Sequence, residues 1–215
     1  MSTLKALANL LSKPKRLFSL LSHGHKGYLD SIGWFNAFDN QQAVDGNGLP
    51  IPWVTYSFID FIKPRLTKDL TIFEYGSGNS TLFYAKNVRK VVSVEHDEAW
   101  YQKIVKEKAN NAEMIFCTLD RGGLYSKKAA SLDEKFDIII VDGRDRVNCC
   151  KHSINSLTEK GVIVLDDSER KNYDEARDFL KQQGFKELSF SGISPGLFYE
   201  KATSVFYKAN NCLDI

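Results

Sequence analysis

The chain has 215 residues, of which 43% are hydrophobic and 26% are charged, as in an ordinary globular domain with a buried core. A formal net charge of +2, with basic residues scattered along the chain, argues against a nucleic-acid-binding protein. No apolar run reaches the roughly twenty residues of a membrane span. The four cysteines show no metal or redox spacing, which indicates reduced thiols and a cytoplasmic location.

The first 22 residues form a basic amphipathic arm. Its leucines at helical spacing are Leu4, Leu7, Leu10 and Leu11, and its basic residues are Lys5, Lys13, Lys15 and Arg16. Pro14 predicts a break in the helix. Such a segment can lie on a membrane surface or act as a transit peptide. We favour a third interpretation, in which the leucines pack on the chain's own domain or on a second subunit in a homo-oligomer.

Residues 31–66 form an aromatic-rich segment that we call the cap. It contains a predicted helix starting near Pro52, in "PWVTYSFIDFI". We expect the cap to lie over a ligand site, with residues 1–66 forming the arm and cap and residues 67–215 a second unit. Four aromatic residues either line a ligand pocket or belong to the core: Trp34, Phe35, Trp53 and Tyr56.

From residue 71 onward, short apolar runs alternate with amphipathic stretches. The runs are "TIFEY", "KVVSVE", "AEMIFC", "FDIIIVD" and "GVIVLDD", and the stretches include "RVNCCKHSINSLTEKG", interpreted as a helix ending at Gly161. The tail, "KELSFSG" and "TSVFYK", has no helix between its two runs. The pattern predicts a doubly wound α/β fold: a mostly parallel seven-stranded sheet with an antiparallel C-terminal edge hairpin and an N-terminal helical cap.

A glycine turn, "FEYGSGNST", follows the first predicted strand. Ligands bind at the carboxyl ends of the strands in such sheets, and Gly76 and Gly78 allow a close backbone approach. Thr81 takes the place of the third glycine of a dinucleotide fingerprint, and the carboxylate of Glu74 would repel a pyrophosphate. An acid at this position instead favours a cofactor that presents cationic groups.

The second predicted strand ends in Glu95, about twenty residues beyond the turn, where an acid binds ribose hydroxyls in this architecture. With this acid and the turn, residues 70 to 210 resemble the class I S-adenosylmethionine-dependent methyltransferases. The resemblance implies S-adenosylmethionine as cofactor. The implied cofactor-binding residues are Glu74, Gly76, Ser77, Gly78, Ser80, Thr81, Glu95, His96 and Asp142.

Two features qualify this resemblance. Ser80 stands where many members have a third glycine, and we expect its hydroxyl to cap the following helix. The cap followed by "FEYGSGNSTLFYA" also resembles a group of bacterial methyltransferase-like proteins of unsettled substrate. Taken alone, Glu74 could be a strand-end acid in a salt bridge, and Glu95 a partner of a helix N-terminus.

Three acids end neighbouring strands, namely Asp142, Asp166 and Asp167. Such an oxygen-only set suits Mg²⁺. The layout resembles metal-dependent catechol-type O-methyltransferases, which implies catalytic and metal-binding roles for all three. Asp145 stands where that family has a lysine. In the alternative interpretation, arginines neutralise the acids and leave no room for a metal; the candidates are Arg144, Arg146 and Arg170.

These observations together favour a methyltransferase acting on an oxygen of a small molecule or sugar. Two alternatives stay open. One is an NAD(P)-dependent oxidoreductase, against which Glu74 argues. The other is a non-catalytic cofactor-binding or scaffold protein that uses the aromatic cap to hold a partner.

Overall fold

The chain begins with short helices. In the computed structural model, which describes residues 3–22 and 27–215, they are α1 (Thr3–Leu11), α2 (Pro14–Ser22), α3 (Tyr28–Ser31), α4 (Trp34–Asn40) and α5 (Tyr56–Ile62). Pro14 opens α2, where its missing N–H breaks no intrahelical hydrogen bond, so the predicted break is confirmed. Residues 1–2 of the predicted arm lie outside the described residues.

Three of the four leucines named in the arm are exposed. Helix α1 buries no residue, and Leu4, Leu7 and Leu11 are exposed by 79%, 52% and 59%. Leu10 is half-buried. For Leu4, Leu7 and Leu11, packing on the chain's own domain is not found; the other packing expected from the sequence, on a second subunit, stays a prediction. Within the described residues, no helix has the length and apolar character that a membrane crossing would require.

The sheet has seven strands: β1 (Thr71–Tyr75), β2 (Lys90–Glu95), β3 (Ala112–Phe116), β4 (Phe136–Val141), β5 (Leu157–Asp166), β6 (Lys186–Gly192) and β7 (Lys201–Tyr207). Their order is β3-β2-β1-β4-β5-β7-β6. Strands β1 to β5 pair in parallel, whereas β7 runs antiparallel to both β5 and β6. The predicted mostly parallel sheet with an antiparallel C-terminal edge is confirmed.

Helices cover both faces of this sheet. They are α6 (Asn79–Asn87), α7 (Glu98–Glu107), α8 (Arg146–Ser153) and α9 (Asp174–Gln182). Neighbouring strand residues enter opposite core layers: Ile72 packs in the layer with α5 and α6, and Phe73 in the layer with α8 and α9. Burial on both faces explains why the strands are apolar throughout.

The segment before β5 differs from its prediction. Helix α8 ends at Ser153 rather than continuing to Gly161, and β5 begins at Leu157. Leu157 pairs with Phe136, and the Thr158 hydroxyl donates to the Asp137 carboxylate at 3.0 Å. Glu159 and Lys160, in the first half of this strand, are exposed, so this polar stretch resembles the end of a helix in the sequence.

Candidate functional site

The glycine turn joins β1 to α6 at the carboxyl edge of the sheet. Gly76 adopts a φ of 98°, in the left-handed region that favours glycine. A Cβ atom at Gly76 would lie 3.3 Å from the backbone of Gly143, in the loop that follows β4. The turn is thus held against the neighbouring loop, which brings the ends of β1 and β4 together.

Glu74 is buried immediately before this turn, with 1% exposure. Its Oε2 accepts hydrogen bonds from the hydroxyls of Thr81 (2.6 Å) and Ser93 (2.8 Å). Burial raises the pKa of Glu74, and hydrogen bonds from hydroxyl side chains oppose that rise. None of the ion pairs formed by the described residues includes Glu74, so the salt-bridge alternative is not supported.

Thr81 connects the acid to the helix that follows. Its Oγ1 accepts a hydrogen bond from the Gly78 N–H at 3.1 Å and donates its own proton to Glu74. The side chain that caps α6 is therefore Thr81, and the expectation that Ser80 does so is corrected. Ser80 instead lines two cavities at this edge of the sheet.

Glu95, at the end of β2, is also buried and holds two loops together. Its Oε2 accepts from the Ser77 hydroxyl at 2.8 Å, and its Oε1 accepts from the backbone N–H groups of His96 (2.7 Å) and Asp97 (2.9 Å). The His96 Nδ1 lies 2.9 Å from the same oxygen, outside hydrogen-bond geometry. Asp97, rather than Glu95, caps α7 by accepting from the Trp100 N–H.

The three acids at the ends of β4 and β5 converge, as predicted, but onto basic side chains. The Arg146 guanidinium lies 3.0 Å from Asp142 Oδ1 and 3.1 Å from Asp167 Oδ2. The Lys201 ammonium lies 2.6 Å from Asp166 Oδ2. Lys201 comes from β7 and is itself buried, so this cation is supplied by the antiparallel edge of the sheet.

Further contacts complete this cluster. The Thr203 hydroxyl donates to Asp166 Oδ1 at 2.8 Å, and Arg170 lies 3.0 Å from Asp167 Oδ2. Lys201 also lies 3.0 Å from Asp167 Oδ1, although without hydrogen-bond geometry. Two of the three arginines considered from the sequence therefore pair with the acids, whereas the exposed Arg144 is not among the ion-pair partners in the described part of the chain.

These contacts change the interpretation of the cluster as a metal site. Among the described residues, no group of three or more acidic, histidine or cysteine side chains is arranged to hold a metal ion. The carboxylate oxygens of Asp142, Asp166 and Asp167 face a guanidinium and an ammonium, which repel a divalent cation. The structure supports the arginine-paired alternative, and it adds Lys201, which the sequence did not suggest.

Asp142 differs from the other two acids in its exposure. Its side chain is 23% exposed, compared with 1% for Asp166 and 7% for Asp167. Burial, followed by the charge of Asp166, raises the pKa of Asp142 well above its usual value, whereas Arg146 opposes the rise. A carboxylate that is accessible and has a raised pKa can accept a proton from a ligand.

Lys201 cannot act as a base in place of the lysine that metal-dependent catechol-type O-methyltransferases have at the position of Asp145. Burial opposes its charge, but the carboxylates of Asp166 and Asp142 outweigh that effect and raise its pKa. The ammonium group therefore stays protonated at neutral pH. Its part in the cluster is to neutralise charge.

Two adjoining cavities open onto these residues. The larger, of about 440 Å³, lies between the cap and α7; the smaller, of about 240 Å³, is lined by Glu74, Glu95 and His96. Ser77, Ser80 and Asp142 line both. A ligand in one cavity would therefore adjoin a ligand in the other, with Asp142 between them.

Two tryptophans present their rings to the larger cavity. Trp53 donates its indole N–H to the Pro195 carbonyl at 2.8 Å, and Trp100 donates to the Ser77 carbonyl at 2.9 Å, which fixes both rings. Of the four aromatic residues considered from the sequence, Trp53 lines this cavity. Trp34 and Tyr56 are buried in the core and Phe35 packs against it. Trp100 could not be identified from the sequence because it lies on an amphipathic helix, where an aromatic residue does not by itself indicate a ligand site.

Comparison with known proteins identifies the fold. No family model matches the sequence, and no curated protein matches it significantly. Solved structures do match, at low identity. A methyltransferase-like protein from Silicibacter pomeroyi is 21% identical over 74% of this chain and 89% of its own, with a TM-score of 0.53.

Two further structures have similar scores. A precorrin-6y C5,15-methyltransferase from Geobacter metallireducens is 15% identical over 80% of this chain and 96% of its own, with a TM-score of 0.55. A caffeoyl-CoA O-methyltransferase-like protein from Staphylococcus aureus is 18% identical over 91% of this chain and 99% of its own, with a TM-score of 0.53. The chain has the fold of class I S-adenosylmethionine-dependent methyltransferases.

Proposed function

We propose that the protein is an S-adenosylmethionine-dependent methyltransferase that acts on an oxygen of a small molecule or sugar. The observation that carries the proposal is the pair of buried acids on either side of the glycine turn. Glu74 has only hydroxyl partners among the described residues, and Glu95 holds Ser77 and two backbone N–H groups. This arrangement leaves a negative potential for a cationic cofactor and repels a pyrophosphate.

The smaller cavity supports a specific assignment of roles. Glu74 would attract the ammonium group of the cofactor's methionine part, and Glu95 would accept hydrogen bonds from its ribose hydroxyls, with Ser77 nearby. His96 lines the same cavity and would contact the adenosine. When bound, S-adenosylmethionine supplies an electrophilic methyl group.

The larger cavity is the proposed acceptor site. Its volume of about 440 Å³ suits a small molecule. Two fixed indole faces and the side chains of Gln41 and Gln42 offer stacking surfaces and amide groups, which match the ring faces and hydroxyls of a sugar. Lys103 and Glu107 line it with opposite charges, which favours a small neutral acceptor over a nucleic acid.

Asp142 would take the proton of the acceptor hydroxyl, because it lines both cavities and its side chain is accessible. Arg146 would hold it in place, at 3.0 Å. Asp166 and Asp167 form buried ion pairs with Lys201 and Arg146 respectively. In this proposal they position Arg146 and do not touch the acceptor. No metal-dependent step is included, because the donor set does not fit one.

Calorimetric titration tests this function. We expect S-adenosylhomocysteine to bind and NADH not to bind; the reverse result would identify the oxidoreductase alternative. Incubation with S-adenosylmethionine and a panel of sugars and small hydroxyl compounds, followed by mass spectrometry, should then reveal a product heavier by one methylene group. Cofactor binding without any methylated product across a broad panel would favour the non-catalytic alternative.

A further inference from the structure

The N-terminal arm exposes an apolar face that the rest of the molecule does not cover. Leu4, Leu7 and Leu11 are spaced by three and four residues, so they lie along one side of α1. Phe18 of α2 is exposed by 70%. Neither of the two hydrophobic core clusters contains a described side chain of the arm.

The arm also carries a charge opposite to that of the remaining chain. Residues 1–22 contain four of the 29 basic residues and none of the 27 acidic residues, so residues 23–215 contain 25 basic and 27 acidic residues. Lys5, Lys13, Lys15 and Arg16 are exposed. None of them takes part in an ion pair with another described residue, so their charge is available to a partner.

We propose that α1 and α2 bind the surface of an anionic lipid bilayer, with the leucine face in the boundary between headgroups and acyl chains. Exposed leucines beside unpaired basic residues, without any acidic residue, are the features that bind such a surface. A second copy of the chain fits less well, because two paired arms would bring like charges together and the rest of the chain has an excess of only two acidic residues. The proposal does not depend on the enzymatic activity.

Sedimentation of the full-length protein with vesicles tests the proposal. We expect binding to vesicles of phosphatidylcholine mixed with phosphatidylglycerol, weak binding to phosphatidylcholine alone, and a loss of binding as salt is raised. Each basic residue exchanged for a neutral one, as in Lys15→Gln, should lower the partition coefficient about fivefold.

Two triple variants separate the arm from the rest of the surface. Changing Leu4, Leu7 and Leu11 to serine should abolish vesicle binding and leave cofactor affinity unchanged. The matched control changes three exposed leucines of the remaining chain to serine, and it should sediment like the unmodified protein; they are Leu49, Leu119 and Leu124.

Three results would overturn the proposal. The first is that the unmodified protein does not sediment with anionic vesicles. The second is a Leu4, Leu7 and Leu11 variant that sediments as well as the unmodified protein. The third, measured by light scattering without lipid, is a dimer that the arm variant converts to a monomer while the control variant does not; this would assign the leucine face to a second copy.

Discussion

Two groups of buried acids lie at the same edge of the sheet, and they are stabilised in different ways. Glu74 and Glu95 receive hydrogen bonds from hydroxyls and backbone N–H groups. Asp166 and Asp167 face the ammonium of Lys201 and the guanidinium of Arg146. Both groups are acidic in the sequence, yet only the first has no lysine or arginine partner among the described residues.

The difference indicates which acids can bind a ligand and which acids stabilise the fold. A carboxylate whose partners are neutral still has charge to offer, and a cationic ligand can stabilise it. A carboxylate already paired with a buried cation offers little to a ligand, and removing its partner leaves an isolated charge. Asp142 lies between the two cases, because it contacts Arg146 and also reaches the cavities.

Removing the ammonium of Lys201 should have the largest effect on stability. Lys201→Met leaves Asp166 buried without its closest cation, and we expect the free energy of unfolding to fall by about 3–5 kcal/mol. Urea denaturation measures this. The double variant Lys201→Met with Asp166→Asn should recover much of the loss; if it is no more stable than the single variant, the comparison between the two acid groups fails.

Asp142→Asn tests the acid that lies between the groups. As the proposed general base, its loss should lower turnover by about 10²–10⁴-fold. Because the pKa of Asp142 is raised, turnover should rise with pH through a pKa above the usual carboxyl range, and the variant should lack this limb. Chelator should have no effect on turnover; a loss restored by Mg²⁺ would contradict the ion-paired interpretation.

Glu74→Gln tests the hydroxyl-bonded group. Binding of S-adenosylhomocysteine should become less favourable by about 1.5–3 kcal/mol, because a charged hydrogen-bond acceptor is lost. Burial raises the pKa of Glu74, so its ionised form destabilises the folded state at neutral pH, and the amide should not lower the free energy of unfolding. Calorimetry and urea denaturation check both; a large loss of stability with unchanged affinity would reverse the assignment.

Arg170→Ala should have the smallest effect. Arg170 pairs with Asp167, but its side chain is 47% exposed. Solvent screens such pairs, and we expect a loss of less than about 1 kcal/mol in the free energy of unfolding. A loss as large as that of Lys201→Met would show that exposure does not distinguish the cations of this cluster.

Much of the fold could be predicted because burial on both faces makes a strand visibly apolar. "TIFEY" and "KVVSVE" coincide with β1 and β2. The start of β5 was missed because Glu159 and Lys160, in its first half, are polar and exposed. The sequence located the acids of the site, since they follow apolar strands directly.

Their partners were harder to find. Lys201 and Thr203 reach Asp166 through the antiparallel pairing of β5 with β7, in which Asp166 lies opposite Thr203. This register depends on tertiary structure and not on any local pattern. The sequence could suggest that cations neutralise the acids, and it named Arg146, but it could not identify a lysine 35 residues away from its carboxylate.

The position of β7 has a consequence for protein synthesis. Of the seven strands described, β7 is made after the other six, yet it lies between β5 and β6 in the sheet and carries Lys201. While residues beyond 200 are still inside the ribosome, β6 has no neighbour in the sheet, and Asp166 lacks its ammonium partner. This edge of the sheet can therefore close only after β7 has been synthesised.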